Sequence, residues 1–291
     1  MIVLAGTLPI EDLRLKVGEG RVKDGQFYIG DTSVSLNRGT AAMMAACCVV
    51  CSRYSSEAPY CIVSGDIGDG RGSIPVYDFL IKNISGLQPD VFVGHYIMPN
   101  LAYHNKFIDA IGKMTIKPKL IADAGFMYIA KMAGFAAEYT VFTPDLGELA
   151  FLADGQAPHP FYTRGFIFHM EPRTKELIAM AYAEKNAARF LFVKGERDIV
   201  CENGEVLGEV TDPSVPELEA IGGTGDTITG MIGAYLGNGL AEKEALHLAA
   251  CVNRLAGESA KPTPATQIGE IVMRIPQALE KVVIGPTGSR C

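Results

Sequence analysis

The run Ile221-Gly222-Gly223-Thr224-Gly225-Asp226-Thr227-Ile228-Thr229-Gly230 carries the strongest chemical signal in the chain. Its glycines let the backbone turn tightly with N–H groups facing inward. The residues that follow, Met231 to Leu236, continue a helix whose free amides and positive dipole end face the same spot. Gly223, Thr224 and Gly225 would form an anion hole suited to phosphate. A carboxylate fits poorly in such a hole unless the chemistry needs one, so Asp226 reads as a base beside a phosphoryl group. The plainer reading is a Gly-rich turn with Asp226 as a helix cap. The chain has no G-x-x-x-x-G-K-[ST] run, which excludes a P-loop.

Three further runs could join that chemistry. Thr143-Pro144-Asp145-Leu146-Gly147-Glu148 ends a strand and starts a helix. Asp145 and Glu148 are three residues apart and share a helix face. Two carboxylates there can hold a hydrated Mg²⁺, and acidic residues also favour a helix N-terminus for its dipole alone. Val193-Lys194-Gly195-Glu196-Arg197-Asp198 puts a cation at a strand end, where it could reach a nucleotide phosphate; the same residues also fit a hairpin turn. Ser64-Gly65-Asp66-Ile67-Gly68-Asp69-Gly70-Arg71 looks like a dinucleotide loop, but Asp66 and Asp69 would repel a pyrophosphate. It reads better as a flexible substrate-side loop. His95 and His104 flank a helix start with no Asp or Glu at metal-ligand spacing, and read as surface or core residues. Without G-x-S-x-G, a serine hydrolase is unsupported.

These residues need a scaffold, and the sequence supplies a rhythm of short apolar strands and helices. Expected strands are Gln26–Gly30, Tyr60–Ser64, Val91–Gly94, Leu120–Asp123, Tyr139–Thr143, Phe190–Lys194 and Ile199–Glu202, the last two as a hairpin. Expected helices are Gly39–Arg53, Ile74–Ile84, Leu101–Gly112, Gly125–Ala133, Leu146–Ala153, Arg173–Ala188, Gly225–Leu236, Ala241–Ser259 and Gln267–Val283. Apolar strands alternating with helices imply an α/β sheet, mostly parallel and covered on both faces. Ligands of such sheets sit beyond the carboxyl ends of the strands. No linker divides the chain, so 1–291 reads as one domain. Gly155–Met170, rich in Pro and aromatics, reads as an insertion or lid.

Composition narrows the function classes. With 48% hydrophobic and 20% charged residues over 291 positions, the chain is a folded one. A net charge of -7 argues against a general nucleic-acid surface and against an anionic membrane surface. Seven cysteines, three inside the apolar run Ala41–Val50 and its continuation to Cys51, read as packed thiols of a reduced, cytoplasmic protein. Cys48 and Cys51 form a C-x-x-C with no second pair to complete a zinc set. The start, Met1-Ile2-Val3-Leu4-Ala5, is too short for a secretory core, and no stretch approaches a membrane span.

The motifs converge on a resemblance. Gly222–Gly230 is similar to the Gly-Asp signature of the ribokinase-like superfamily. Within it, the chain most resembles the ATP- or ADP-dependent NAD(P)H-hydrate dehydratase branch, related to carbohydrate kinases. Thr143-Pro144-Asp145-Leu146-Gly147-Glu148 matches that branch's T-P-x-x-G-E, Asp123-Ala124-Gly125 its D-A-D/G strand end, Lys194-Gly195 its K-G, and Leu255-Ala256-Gly257-Glu258 its L-A-G-[DE]. The N-terminal half departs: Gly30-Asp31-Thr32 stands for the usual G-G-S, and His95-Tyr96-Ile97-Met98 for the usual P-G-L-G.

The resemblance implies a three-layer α/β/α sandwich around a central, mostly parallel sheet. It implies ATP (or ADP) and Mg²⁺, and transfer of a phosphoryl group to the hydroxyl of a small molecule. Asp226 would be the base, and the amides of Gly223, Thr224 and Gly225 the anion hole. Lys194, Gly195, Gly222, Thr229 and Gly230 would approach the nucleotide, and Asp145 and Glu148 the metal. Asp31, Asp66, Asp69, His95 and Asp123 are candidates for the substrate side. Two other outcomes stay open: dehydration of a hydrated NAD(P)H through the same first step, and a nucleotide-binding regulator without turnover. Homo-oligomerisation is also left open.

Overall fold

The computed structural model describes residues 1–157, 173–285 and 288–290. The expected lid at Gly155–Met170 lies outside the described residues from position 158 onward.

Eleven strands form one sheet in the order β11-β10-β9-β8-β7-β6-β1-β5-β2-β3-β4. The middle is parallel: β9 (Phe190–Val193), β8 (Val141–Phe142), β7 (Lys119–Ala122), β6 (Val91–Gly94), β1 (Ile2–Leu8) and β5 (Tyr60–Gly65). Antiparallel strands close both edges. One edge is β10 (Asp198–Glu202) with β11 (Glu205–Val210); the other is β2 (Lys16–Lys23), β3 (Gln26–Ile29) and β4 (Thr32–Val34).

Successive residues of each central strand feed opposite cores, as the period of two requires. Leu4, Cys61, Val63, Val91 and Val93 enter a core with α1 (Thr40–Arg53), α7 (Thr224–Gly237), α8 (Glu242–Ala260), α9 (Ile268–Val272) and α10 (Ile275–Lys281). Val3, Ala5, Ile62, Phe92 and Leu120 enter the other, with α2 (Ser73–Leu87), α3 (Leu101–Gly112), α4 (Ala124–Met132), α5 (Leu146–Ala153) and α6 (Thr174–Ala183). The three-layer sandwich expected from the sequence is therefore present.

The sequence reading misses β1, a fully buried central strand, because the opening Met1–Ala5 reads only as a leader too short for secretion. It also overlooked β2, whose residues mostly stay partly or fully exposed at the sheet margin, and β4 and β11. The single helix expected over Gln267–Val283 is two, α9 and α10. Pro276 stands at the start of the second, where a missing N–H costs nothing. Cys47, Cys48, Cys51 and Cys61 are buried free thiols between α1 and the sheet, as packing residues should be. Burial pushes the Cys47 and Cys48 thiols up, which favours their protonated form.

Candidate active site

The site gathers at the carboxyl ends of β6, β7, β8 and β9, against the first turn of α7. Gly223 precedes that helix with φ 108°, a left-handed value that suits glycine. Because Gly223 has no side chain, no side chain caps α7. The amides of Thr224, Gly225 and Asp226 have no acceptor within the helix and stay open among the described residues.

Asp226 does not bend back onto those amides. Its Oδ2 accepts from the Gly39 N–H at 2.8 Å, at the entry to α1. Its Oδ1 lies 3.0 Å from His95 Nε2, just past β6. His95 Nδ1 lies 3.0 Å from the Thr40 hydroxyl. Asp123, at the end of β7, is 3.6 Å from the same Nε2. Its two oxygens accept from Lys194 Nζ at 2.8 and 3.0 Å, and Oδ2 also accepts from Thr229 Oγ1 at 2.6 Å. Thr143 Oγ1, ending β8, is 2.8 Å from Thr229 Oγ1.

Charges in this cluster hold one another. Burial alone would push the His95 imidazolium down, but Asp123 and Asp226 outweigh it and raise it to about 9. Burial pulls the Asp226 and Asp123 carboxyls upward. For Asp226 the His95 hydrogen bond and charge win; for Asp123, Lys194 and His95 win; both stay below the ordinary range. Lys194 resists its own burial because Asp123, Glu148 and Asp226 face it, and its ammonium is held firmly charged. His95 is 0% exposed and Asp123 1%, whereas Asp226 keeps 15% of its side chain open. Of the two carboxylates, Asp226 is the one a ligand can reach.

At α5 the expected carboxylate pair closes into a capping box. Asp145 Oδ1 accepts from the Glu148 N–H at 2.8 Å, and Glu148 Oε2 accepts from the Asp145 N–H at 2.9 Å. Tyr128 donates to Glu148 Oε1 at 2.7 Å. Burial pushes the Glu148 carboxyl up to about 7, Lys194 opposing this and Asp145 and Asp123 adding to it. Asp145 is exposed, and its Oδ2 has no partner among the described residues. These all-oxygen donors suit a hydrated Mg²⁺. The ligand atoms of His95, Asp123 and Asp226 also lie within 4.8 Å of one another, but an imidazolium proton and the Lys194 ammonium already occupy them.

Several expected residues have other employment. Thr229 is buried and spends its hydroxyl on Asp123, on the second turn of α7. Gly230 lies where α7 crosses α1: a Cβ there would be 1.9 Å from the Met43 carbonyl. It is a close-approach residue, and both it and Thr229 are buried. Gly195 shapes the β9–β10 turn, where its N–H donates to Asp198 at 3.3 Å and its carbonyl accepts from Arg254 at 3.1 Å. Asp66 is consumed by the N–H groups of Gly68, Gly70 and Ser73 and by the Ser73 hydroxyl. Asp69 pairs with Arg71 on the surface, and Asp31 is fully exposed opposite Arg21. Gly222 borders the open turn, as expected, with the Arg38 side chain against it.

The two histidines part company. His104 is a core residue, stacked on Tyr139 and 2.9 Å from its hydroxyl, and burial pushes its pKa down to about 4. His95, by contrast, has the carboxylate partners that its sequence neighbourhood lacks. They lie 28 and 131 residues away, beyond the reach of any spacing rule.

Fold and site together define the class. The backbone is similar to that of Bacillus subtilis YxkO, with a TM-score of 0.54 at 14% identity over 96% of this chain and 91% of that one. It is equally similar to Staphylococcus aureus pyridoxal kinase, with a TM-score of 0.54 at 14% identity over 88% and 87%. The architecture is ribokinase-like. Residues 103–277 match the family model described as NAD(P)H-hydrate dehydratase, and the chain belongs to that family. An uncharacterized protein of Methanocaldococcus jannaschii is 40% identical over 223 residues, 76% of this chain and 91% of that protein. The bifunctional NAD(P)H-hydrate repair enzyme Nnr of Pyrobaculum aerophilum is 28% identical over 151 residues, 50% of this chain and 26% of that enzyme.

Proposed function

We propose that this protein transfers a phosphoryl group from ATP or ADP to the hydroxyl of a small molecule. The observation that carries the reading is Asp226: a partly exposed carboxylate at the uncapped start of α7, held by His95 and Gly39 and not by its own helix. Asp226 takes the acceptor's proton as the oxygen–phosphorus bond forms and the bond to the leaving phosphate breaks. The amides of Gly223, Thr224 and Gly225 face the charge on the transferring group. Staphylococcus aureus pyridoxal kinase has been seen with AMP-PCP and pyridoxal, consistent with a nucleotide and a small acceptor meeting on this fold.

Asp145 and Glu148 are the residues that would hold Mg²⁺ through water. When bound, the ion neutralises phosphate charge. His95 keeps Asp226 ionised and oriented. Lys194 does the same for Asp123, which anchors Thr229 and the first turns of α7.

The family match favours a second outcome at the same site, in which the phosphorylated hydroxyl of an NAD(P)H hydrate leaves and the nicotinamide nucleotide is restored. Incubation with Mg²⁺ and ATP or ADP, plus sugars, alcohol-bearing vitamins or hydrated NADH, separates the outcomes. A stable phosphoester marks a kinase, and recovery of NADH absorbance marks the dehydratase. Nucleotide binding with neither product would leave a regulator and remove Asp226 from catalysis. No described helix is long and apolar enough to cross a membrane.

A further inference from the structure

The buried cations of the site are already spent. Lys194 sits on both oxygens of Asp123, and His95 on Asp226. Two carboxylates and two cations leave the cluster with no net positive charge for a polyphosphate. The stem of Lys194 does pass under the turn, since a Cβ on Gly225 would lie 3.1 Å from its Cδ. Its ammonium nonetheless has an owner.

Arg38 does not. It precedes Gly39, whose N–H holds Asp226. Its side chain runs along the Gly-rich turn: a Cβ on Gly222 would lie 3.3 Å from Arg38 Cδ, and one on Gly223 3.2 Å from Arg38 Cα. The bare backbone of those two glycines is what admits it. Arg38 is exposed and has neither a hydrogen bond nor an ion pair among the described residues. The stem of Arg38 is therefore tethered against the two glycines that open α7, one residue from the contact to the base.

Resting on the phosphoryl-transfer reading, we propose that Arg38 is the residue that grips the phosphates of the nucleotide, and that Lys194 positions Asp123 without carrying ligand charge. A guanidinium fork matches two phosphate oxygens at once and stays charged at every working pH. Lys194, locked on Asp123, has neither the freedom nor the spare charge. Nothing in the local run Leu36-Asn37-Arg38-Gly39 announces this role, because only folding brings it to Gly222.

Calorimetry with ADP, ATP and inorganic tripolyphosphate, each with Mg²⁺, tests the assignment on the full chain. Arg38→Ala should weaken all three by about tenfold to a hundredfold, the worth of a charge-assisted contact. It should flatten the salt dependence of binding and leave the melting midpoint unmoved, since the side chain is exposed. Arg38→Lys should recover part of the loss, a response that a purely structural role would not give. Arg53→Ala, at the far end of α1, controls for net charge and should bind as the parent does. If the parent binds nucleotide and Arg38→Ala binds within twofold of it, the assignment is wrong while the phosphoryl-transfer reading stands. If the parent binds no nucleotide, both fall together.

Discussion

Helices α5 and α7 begin with the same chemistry and put it to opposite use. Each follows a parallel-sheet strand or a glycine turn, and each carries an acid at its third position: Glu148 in α5, Asp226 in α7. In α5 the preceding residue is Asp145, and the two carboxylates satisfy the helix's own amides. In α7 the preceding residue is Gly223. It offers nothing to the amides, and the third-position carboxylate turns outward to Gly39 and His95. The environments then move the two acids apart. Burial lifts Glu148 to about 7, while His95 keeps Asp226 below the ordinary range. A closed helix start stabilises; an open one can receive an anion and present a base.

The largest test of that contrast is Asp226→Asn. It keeps the shape and an oxygen that can accept from the Gly39 N–H but removes the proton acceptor, so turnover should fall by ~10²–10⁴-fold with the fold intact and nucleotide still bound. Turnover within about threefold of the parent, measured on whichever acceptor is active, would make α7 as structural as α5.

Next in size is His95→Asn, read through stability against pH. His95 is raised from 6.5 to about 9 on folding. Its stabilisation is therefore complete below the unfolded value and fades as pH climbs through about 9; the shift corresponds to about 3 kcal/mol. Urea unfolding between pH 6 and 10 should show the parent losing stability over that window. The variant should start less stable and lose less. Parallel curves for the two proteins would mean that His95 does not hold the carboxylates as a cation.

The smallest effect separates the two duties assigned to the closed start. Asp145→Asn should leave thermal stability nearly unchanged, because Asn caps a helix about as well as Asp, while Asp145→Ala should cost ~1 kcal/mol. If Asp145 also helps hold Mg²⁺, the Asn variant alone should need several times more Mg²⁺ for half-maximal turnover. An unchanged Mg²⁺ requirement would reduce the pair to a helix cap.

Much of this was readable in the residues. Short strands of β-branched and aromatic residues such as Val91–Gly94 and Phe190–Val193 declare themselves by composition, and Gly222-Gly223-Thr224-Gly225-Asp226 declares a tight turn entering a helix. The overlooked elements were those whose local pattern is ambiguous. Ile2–Leu8 is a central strand because β5 and β6 flank it, and Lys16–Lys23 is a strand because β3 and β5 pair with it.

The sequence alone determined the alternation of strand and helix, the open glycine turn, and the acid that follows it, since these depend on neighbours within a few residues. The tertiary structure alone decided the partners. Asp123 meets Lys194 across 71 positions and Asp226 meets His95 across 131. It also decided that Gly230 serves a helix crossing and that Arg38 lies on the turn. The reason is physical: burial and charge compensation are set by which strand ends the sheet order places side by side, and that order places β6, β7, β8 and β9 together at one edge of the α7 helix start.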